Sequence, residues 1–416
     1  MSAPHRRGAC PGLSAPMLTG DGLLVRLTPV AAIAPDRFAA FCSAASRDGN
    51  GTIEITARGS FQVRGLTPQS ASTFADEIST LEIAADGVTL LTNPLAGEAA
   101  AEFDEAGFAD ALREAVSKAR LALAPKISVV VDNGDGLHLD ALSADLRLRA
   151  VSTPGGVMIH VAVGGDAASA IALGAVVPAE AGAAALALLK VIAARGAVRA
   201  ADILKSEGAG VFADAVAGKL MAFAPPSRAA AEPVARHRAR DGKVAVGVAL
   251  EFGHAHADAL SELAATVFSC GATGLRPALG RALLVIGLSE DGADHITAAA
   301  ERLGFIVRAD DPRRRIVACP GAPACASGLI PARVLAAQLA EGLPRLPRDT
   351  IVHISGCAKG CAHPAPTTLT LVGTDDGCGL VRDGTARAAP ERIVDAAHLP
   401  DIVARLADPE REAAYG

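Results

Sequence analysis

The stretch that decides the fold of this chain contains two closely spaced cysteine pairs. The first pair reads Cys319-Pro-Gly-Ala-Pro-Ala-Cys325, and the second reads Cys357-Ala-Lys-Gly-Cys361. Five residues separate the first two cysteines, three separate the second two, and a helical pattern lies between the pairs over residues 332–341. Four cysteines arranged in this way are typical of a metal or cluster site.

The spacing favours an iron-sulfur cluster over zinc. Structural zinc sites usually take cysteine pairs about two to four residues apart, whereas the first pair spans a wider loop stiffened by Pro320 and Pro323. Gly356 and Gly360 allow main-chain N–H groups to approach the cluster sulfides and to adjust their potential. We therefore predict that a 4Fe-4S cluster is bound by Cys319, Cys325, Cys357 and Cys361. A zinc site and unrelated buried cysteines are the alternatives.

Outside this stretch, the chain repeats one layout. Residues 21–66 and 241–288 both begin with Asp-Gly, end with Gly-Leu, and alternate strand, helix, glycine turn and further strands. Residues 86–97 occupy, in the first half, the place of the first cysteine loop, and residues 126–136 occupy that of the second. An internal duplication is the economical explanation, with cluster cysteines in the second half alone.

Composition excludes several functional classes. The 416 residues carry a net charge of −6, whereas proteins that bind nucleic acid usually carry a basic surface. No apolar run reaches the roughly 18 residues expected of a membrane helix. The start Met1-Ser-Ala-Pro-His-Arg-Arg lacks the apolar region of a signal peptide. Clustered cysteines fit a reducing compartment, so we expect a cytoplasmic protein that binds neither nucleic acid nor membrane.

The cysteine motif resembles that of a known family. Cys-x5-Cys, followed about thirty residues later by Ser-Gly-Cys-x3-Cys, is similar to the cluster motif of nitrite and sulfite reductases. The resemblance implies two ferredoxin-like half-units and two larger α+β domains about a pseudo-twofold axis. The implied segments are an N-terminal segment with the first half-unit (1–80), a first α+β domain (81–224), a linker (225–240), a second half-unit (241–305), a second α+β domain with the cluster cysteines (306–400) and a tail (401–416).

Family members bind a polycarboxylate tetrapyrrole, for which guanidinium groups are natural partners. The stretch from Thr-Ala-Arg58 to Val-Arg64 resembles the family's active-face stretch. The resemblance implies catalytic roles for Arg26 and Arg58 and substrate binding by Arg64; solvated strand charges are the alternative. Lys126 matches the first of two paired lysines and is implied to be catalytic. Ser128 replaces the second lysine, which argues against six-electron reduction of an inorganic anion.

Three further residues are candidates for substrate binding. Arg276 and Arg281 lie in the part of the second half that matches residues 52–59. The resemblance implies that both contact substrate carboxylates and that Asn93, in a Thr-Asn-Pro-Leu-Ala-Gly loop, supplies a polar contact. A solvated hairpin is the alternative for the arginines, and an ordinary turn before Pro94 is the alternative for Asn93.

Two phrases resemble the cobalamin-biosynthesis branch of the family. They are Gly8-Ala-Cys-Pro-Gly-Leu-Ser-Ala-Pro-Met17 and His353-Ile-Ser-Gly-Cys-Ala-Lys-Gly-Cys-Ala-His363. That branch implies a monooxygenase that hydroxylates precorrin-3A at C20 with O2 and forms a γ-lactone from the ring A acetate. It implies a 4Fe-4S cluster, a nearby non-haem iron, and an NADH-linked electron donor that acts through a separate reductase or ferredoxin. His254, His256, His353 and His363 are the available iron ligands, and non-ligand roles are favoured for each.

Two rival interpretations stay open. A sirohaem-dependent nitrite or sulfite reductase shares every cluster cysteine, although Ser128 and the N-terminal phrase argue against it. A non-catalytic tetrapyrrole carrier with structural zinc is the other rival. Residues 391–416 are expected to form a short surface helix.

Overall fold

The repeated layout seen in the sequence is present in three dimensions. The computed structural model describes residues 11–84, 87–97, 102–134, 136–239, 242–340, 346–395 and 398. In that part of the chain, four β-sheets and nine α-helices form two successive halves, which confirms the predicted duplicated α+β architecture. No helix among these residues is long and apolar enough to cross a membrane. Cys10 and the predicted tail, residues 401–416, lie outside the described residues.

The first half-unit is an antiparallel sheet packed on two helices. Its elements are β1 (Met17–Thr19), β2 (Gly22–Leu27), α1 (Pro35–Asp48), β3 (Thr52–Ile55), β4 (Phe61–Leu66) and α2 (Pro68–Thr80). Phe41 lies at the centre of the core, with its ring centroid 5.2 Å from that of Phe61 and 6.3 Å from that of Phe74. Because side chains alternate between the faces of a strand, the opposite face of the sheet carries polar side chains.

The first α+β domain follows. Its elements are β5 (Thr89–Leu91), α3 (Glu105–Lys118), β6 (Ser128–Asp132), β7 (Leu146–Thr153), β8 (Gly156–Val163), β9 (Ile171–Val176), α4 (Pro178–Ala193), α5 (Ala200–Glu207) and α6 (Gly210–Ala215). Strands β5, β6 and β7 run parallel, whereas β7, β8 and β9 are antiparallel. The alanine-rich helix α4 buries Leu188, Leu189 and Ile192 in the core of this domain.

The second half-unit repeats the first and is interlocked with it. Its elements are β10 (Arg236–Arg238), β11 (Val244–Ala249), β12 (His254–His256), α7 (Ala257–Ser269), β13 (Gly274–Ala278), β14 (Ala282–Leu288) and α8 (Glu290–Arg302). Strand β12 pairs with β3 of the first half-unit. Reciprocally, Ile33 exchanges two main-chain hydrogen bonds of 2.8 Å with Leu275 on β13. The two half-units therefore share one continuous core.

The second α+β domain has the strand order of the first. Its elements are β15 (Ile316–Ala318), α9 (Ala332–Ala340), β16 (Val352–Ser355), β17 (Thr367–Thr374), β18 (Gly377–Gly384) and β19 (Arg392–Val394). Again the first three strands run parallel and the last three are antiparallel. The pairing of β15 with β16 corresponds to that of β5 with β6, which aligns the cysteine loops with residues after Leu91 and Asp132.

Two segments differ from the sequence-based expectation. The end of the predicted linker, Arg236–Arg238, forms strand β10 on the edge of the second half-unit, and Arg228 within the linker forms ion pairs of 2.6 Å with Asp132 and 2.5 Å with Asp140. The linker is thus attached to both domains. The expected helix over residues 391–416 is wrong at its start, because Arg392–Val394 pairs with the free edge of β18 as a strand.

Candidate functional site

The two cysteine loops lie at one edge of the last sheet. Cys319 directly follows β15, and Cys357 follows β16 after Gly356. Since β15 and β16 are parallel neighbours, their carboxyl ends meet at the same edge, and the loops that leave them are brought together. The main-chain N–H of Gly356 donates a 3.0 Å hydrogen bond to the Cys319 sulfur, and Lys359 donates a 2.7 Å bond to Ser327 across the loops.

The four sulfurs influence one another. Burial raises the pKa of the Cys319 thiol, the N–H groups of Gly356 and Gly321 partly oppose the rise, and Cys325 and Cys357 add to it. The pKa of the Cys361 thiol is also raised, by partial burial first and then by Cys357 and Cys325. Mutual repulsion of this kind is relieved when thiolates bind a cationic metal centre.

The two loops supply four thiols, a donor set that a multi-iron cluster uses. Within the described ranges, no three His, Cys, Asp or Glu side chains lie close enough to hold one ion. Four thiolates on tetrahedral zinc would lie about 3.8 Å apart, because Zn–S bonds are about 2.3 Å long. In a 4Fe-4S cluster each thiolate binds a different iron, so the cysteines stand further apart. The donor set of four thiols and an N–H···S bond fits the cluster.

Glycine is required where the first cysteine loop is crowded. Gly321 has a φ of +66°, and a Cβ at this position would lie 2.4 Å from the Ala332 nitrogen at the start of α9. Gly20 approaches the same loop from the first half-unit, where a Cβ would lie 2.3 Å from the Pro323 oxygen. The loop is therefore enclosed by main chain on two sides.

Arg64 connects the first half-unit to the first cysteine loop. Its side chain, only 5% exposed, donates hydrogen bonds of 2.9 and 3.0 Å to Asp21, and Glu54 lies 3.6 Å away. The same guanidinium donates a 2.5 Å bond to the main-chain oxygen of Ala324. Burial opposes its charge, but Glu54, Asp21 and the Cys325 sulfur outweigh burial and raise the pKa of Arg64.

Arg281 connects the second half-unit to the second cysteine loop. It lies in the turn between β13 and β14 with a φ of +65°, and it donates a 3.1 Å hydrogen bond to the main-chain oxygen of Ala362, next to Cys361. Its side chain packs against Gly253, where a Cβ would lie 2.4 Å from the arginine Cδ. The predicted role of Arg64 and Arg281 in substrate binding stays a prediction.

The candidate histidines do not form a site among the described residues. His353 on β16 is fully buried with no hydrogen-bond partner on either ring nitrogen, and its ring centroid lies 5.9 Å from that of His363. Burial, then His363 and Arg281, lower the pKa of His353 to about 4. His254 on β12 has an unpartnered Nδ1, and His256 caps α7. These histidines therefore do not identify ligands for the non-haem iron that the resemblance implies.

A polar row crosses the sheet of the first half-unit on the face opposite its helices. Arg26, Gln62, Glu54 and His254 are successive cross-strand neighbours. With its amide oriented so that both ends have partners, Gln62 accepts from Arg26 at 2.6 Å and donates to Glu54 at 2.7 Å. Arg333 on α9, between the cysteine loops, donates a 2.5 Å hydrogen bond to Glu54. The row therefore links Arg26 to the second α+β domain.

Arg58 and Lys126 lie near the substituted lysine position. Arg58 donates a 2.9 Å hydrogen bond to the main-chain oxygen of Ser143 and approaches Ser128 Oγ at 3.5 Å. Ser128 is buried at the start of β6, where Asp145 accepts a 2.9 Å bond from its main-chain nitrogen. Lys126 is exposed two residues earlier. The guanidinium of Arg58 thus lies beside the serine that replaces the second lysine.

Asn93 and Arg276 contact each other. Arg276 on β13 is buried and donates to the Asn93 oxygen at 3.1 Å and to Thr92 Oγ1 at 2.5 Å. Glu105 on α3 accepts hydrogen bonds from the main-chain nitrogens of Asn93 and Asn133, the latter at 3.0 Å. Asn93 and Asn133 follow β5 and β6, as the cysteines follow β15 and β16. In the first half, a hydrogen-bonded network thus occupies the position that corresponds to the two cysteine loops of the second half.

The sequence interpretation did not identify Glu54, Glu105 or Arg333. Glu54 stands between Ile53 and Ile55 in the alternation typical of a strand with one solvated face, so the sequence does not show that its carboxylate is buried. Glu105 and Arg333 lie in ordinary amphipathic helices, where no sequence pattern distinguishes them from solvated charges.

Comparison with known proteins assigns this geometry to a family. Residues 15–80 match the nitrite/sulfite reductase ferredoxin-like half domain. A Sinorhizobium sp. protein named precorrin-3B synthase is 40% identical over 416 residues, which cover 97% of this chain and 89% of that protein. The chain belongs to the precorrin-3B synthases, the cobalamin-biosynthesis branch of the nitrite and sulfite reductase family.

More distant relatives of the precorrin-3B synthases share the architecture. The ferredoxin–nitrite reductase of Synechococcus elongatus is 25% identical over 361 residues, which cover 77% of this chain and 70% of that protein. The solved structure of the Mycobacterium tuberculosis NirA protein superposes with a TM-score of 0.75 at 19% identity, covering 94% of this chain and 81% of its own. The latter likeness shows the fold alone. The branch consists of enzymes, and this protein is one of them.

Proposed function

We propose that this enzyme hydroxylates precorrin-3A at C20 with O2 and forms a γ-lactone from the ring A acetate. The observation that carries the proposal is the convergence of two cysteine loops, each contacted by an arginine, in a chain 40% identical to a precorrin-3B synthase. The name of that relative indicates precorrin-3B as the product. A route to this product that uses O2 requires a redox-active site, which the four cysteines would provide by binding a cluster.

The proposal includes a 4Fe-4S cluster held by Cys319, Cys325, Cys357 and Cys361. Its support is the electrostatic coupling among the four sulfurs, the hydrogen bond from Gly356 to Cys319, and the basic side chains near the loops. When bound, such a cluster supplies electrons one at a time, which the spin state of O2 requires. The proposal also includes a non-haem iron, to which no ligands are assigned.

The overall reaction balances as a monooxygenation. One oxygen atom of O2 enters the substrate, and the other leaves as water with two protons. Two electrons are required, and we propose that NADH supplies them through a separate reductase or ferredoxin. The C20 hydroxyl and the lactone together account for the single oxygen atom gained.

Basic side chains of this chain would orient the substrate. Arg26, Arg58 and Lys126 are proposed to face the polycarboxylate macrocycle, because Arg26 leads the polar row and Arg58 lies beside Ser128. Arg58 and Arg276 line one small cleft together with Thr28 and Thr92. Fixing several substrate carboxylates at once would hold C20 in one orientation, which lowers the entropic part of the barrier.

The test begins with anaerobically purified protein. Broad brown absorption, about four or five irons per chain and no haem bands support the proposal. Conversion of precorrin-3A with ¹⁸O2 should then add one labelled oxygen atom to the product. Sirohaem bands with nitrite or sulfite reduction would favour the reductase alternative, and zinc without iron would overturn the redox function. Cys357→Ser should lose the cluster and the activity, whereas Cys270→Ser, outside the loops, should lose neither.

A further inference from the structure

Each half-unit directs one arginine to one cysteine loop. Arg64 of the first half-unit donates to the oxygen of Ala324, the residue before Cys325. Arg281 of the second half-unit donates to the oxygen of Ala362, the residue after Cys361. Both acceptors are main-chain carbonyls, so each contact fixes the position of a loop rather than the identity of a side chain.

The duplication of the chain does not account for these contacts. Arg64 lies within β4, whereas Arg281 lies in the turn that precedes β14, the strand equivalent to β4. A pseudo-twofold axis would direct equivalent residues to different domains. Here two non-equivalent arginines reach the same domain and adjacent cysteine loops.

The charge around the loops is biased toward cations. Arg64, Arg281 and Lys359 contact the loops or the segments beside the cysteines, and guanidinium groups stay charged at all relevant pH values. Asp21 and Glu54 balance Arg64. Among the described residues, Arg281 forms no ion pair; its partner is a carbonyl, and Glu54 acts on it only at longer range.

Fixed cations act on a cluster in a defined direction. A 4Fe-4S cluster with its thiolates carries net negative charge in both states, and the reduced state carries one more. A buried positive charge therefore stabilises the reduced state and raises the reduction potential, and a buried carboxylate lowers it.

We infer that Arg64 and Arg281 are positioning residues that hold the two cysteine loops at cluster spacing and raise the reduction potential of the cluster. The inference rests on the proposed cluster. Neither residue needs to touch substrate for this role. Glu54, placed between Arg64 and Arg333, is the residue that moderates the effect.

The test is a potential titration monitored by electron paramagnetic resonance on the full-length, cluster-loaded protein. Arg64→Met and Arg281→Met should each lower the ratio of reduced to oxidised cluster at a fixed potential about tenfold, which is about 59 mV for a one-electron couple. Glu54→Gln should shift the potential in the opposite direction. Arg64→Lys and Arg281→Lys, which keep the charge, should restore it to near the wild-type value.

Arg195→Met provides a matched surface control, since Arg195, in the turn after α4, pairs with Glu207 at the end of α5 in the first α+β domain. Its potential should equal that of the wild type. If a methionine variant loses iron while its apo form melts like wild-type apo protein, the loop-holding role is supported. If the wild-type protein contains the cluster, and the Arg64, Arg281 and Glu54 variants have the same reduction potential as the wild type, this inference is overturned and the proposed function is not. Wild-type protein without iron would overturn the proposed function and the inference together.

Discussion

The guanidinium of Arg276 donates a 3.1 Å hydrogen bond to the main-chain oxygen of Asn93, joining the second half-unit to the first α+β domain. The two residues are 183 positions apart in the sequence. Burial lowers the pKa of Arg276 to about 10, and Glu105 opposes this effect. The Asn93 loop follows β5 as the first cysteine loop follows β15. In the first half, a buried arginine thus lies at the position that corresponds to the cysteine loops.

Replacement of Arg276 should destabilise the chain. Arg276→Ala removes the bonds to Asn93 and Thr92 and leaves Glu105 without its nearby cation. Leaving the buried Asn93 carbonyl without its donor typically costs about 1–3 kcal/mol in the free energy of unfolding. Urea denaturation should detect this loss, while Arg195→Ala at the surface should change the midpoint little. An Arg276→Ala midpoint equal to that of the wild type would contradict a structural role for the arginine.

Glu105 should make stability depend on pH. Burial raises the pKa of its carboxyl from 4.5 to about 8, against hydrogen bonds from the Asn93 and Asn133 nitrogens. The folded state therefore binds more protons than the unfolded state between these values. The contribution of Glu105 to the free energy of unfolding is therefore fully present below about pH 4.5 and is lost as pH rises to about 8.

The loss over this window should be on the order of a few kcal/mol. Thermal melts between pH 5 and 8 should show a steeper decline for the wild type than for Glu105→Gln, which cannot ionise. The Gln variant should be less stable at pH 5, because the amide offers one acceptor oxygen for two main-chain donors. Parallel pH profiles for the two proteins would show that Glu105 does not titrate in this range.

Cysteine accessibility should distinguish the cluster loops from the core. Cys361 is exposed, whereas Cys42 and Cys378 are buried. Burial raises the pKa of Cys42 far above its usual range and that of Cys378 to about 12, so neither forms a reactive thiolate. In apo protein, iodoacetamide should modify Cys361 first, as measured by peptide mass spectrometry. In loaded protein the four cluster cysteines should be protected and Cys270 should react.

Protein unfolded in urea provides the reference for this experiment, since all eight cysteines should then react. Equal labelling rates for Cys361 in apo and loaded protein would argue against its ligation. Rapid labelling of Cys42 in the folded chain would contradict the packing of α1.

The family resemblance of the cysteine motif, supported by the internal repeat, predicted the duplicated fold, because the motif and the repeat can both be read directly from the sequence. Contacts of the predicted arginines were not predictable. Arg64 contacts Ala324 across 260 positions, and Arg281 contacts Ala362 across 81. Their acceptors are main-chain oxygens, which every residue carries and no motif marks. The resemblance suggested substrate carboxylates as partners, whereas the structure adds the cysteine loops.

The reciprocal exchange of main chain between half-units was also absent from the sequence pattern. Apolar and polar residues do not alternate over enough positions to predict a strand in either segment. Ile33 forms an isolated bridge, and β12 has only three residues. Such pairing depends on how the duplicated units approach each other, and this is a property of their joint core rather than of either segment.

This exchange predicts that the half-units unfold together. Leu275 is fully buried and shares main-chain hydrogen bonds with Ile33, so Leu275→Ala should cost about 2–5 kcal/mol. Native-state hydrogen exchange should show equal loss of protection at Val63 on β4 and Val285 on β14, although only the latter shares a sheet with Leu275. Leu148→Ala, in the first α+β core, should instead act most on its own sheet. The prediction rests on the shared core, in which helices α1 and α7 pack against each other. Loss of protection confined to β13 and β14 would contradict it and would mean that each half-unit is stable alone.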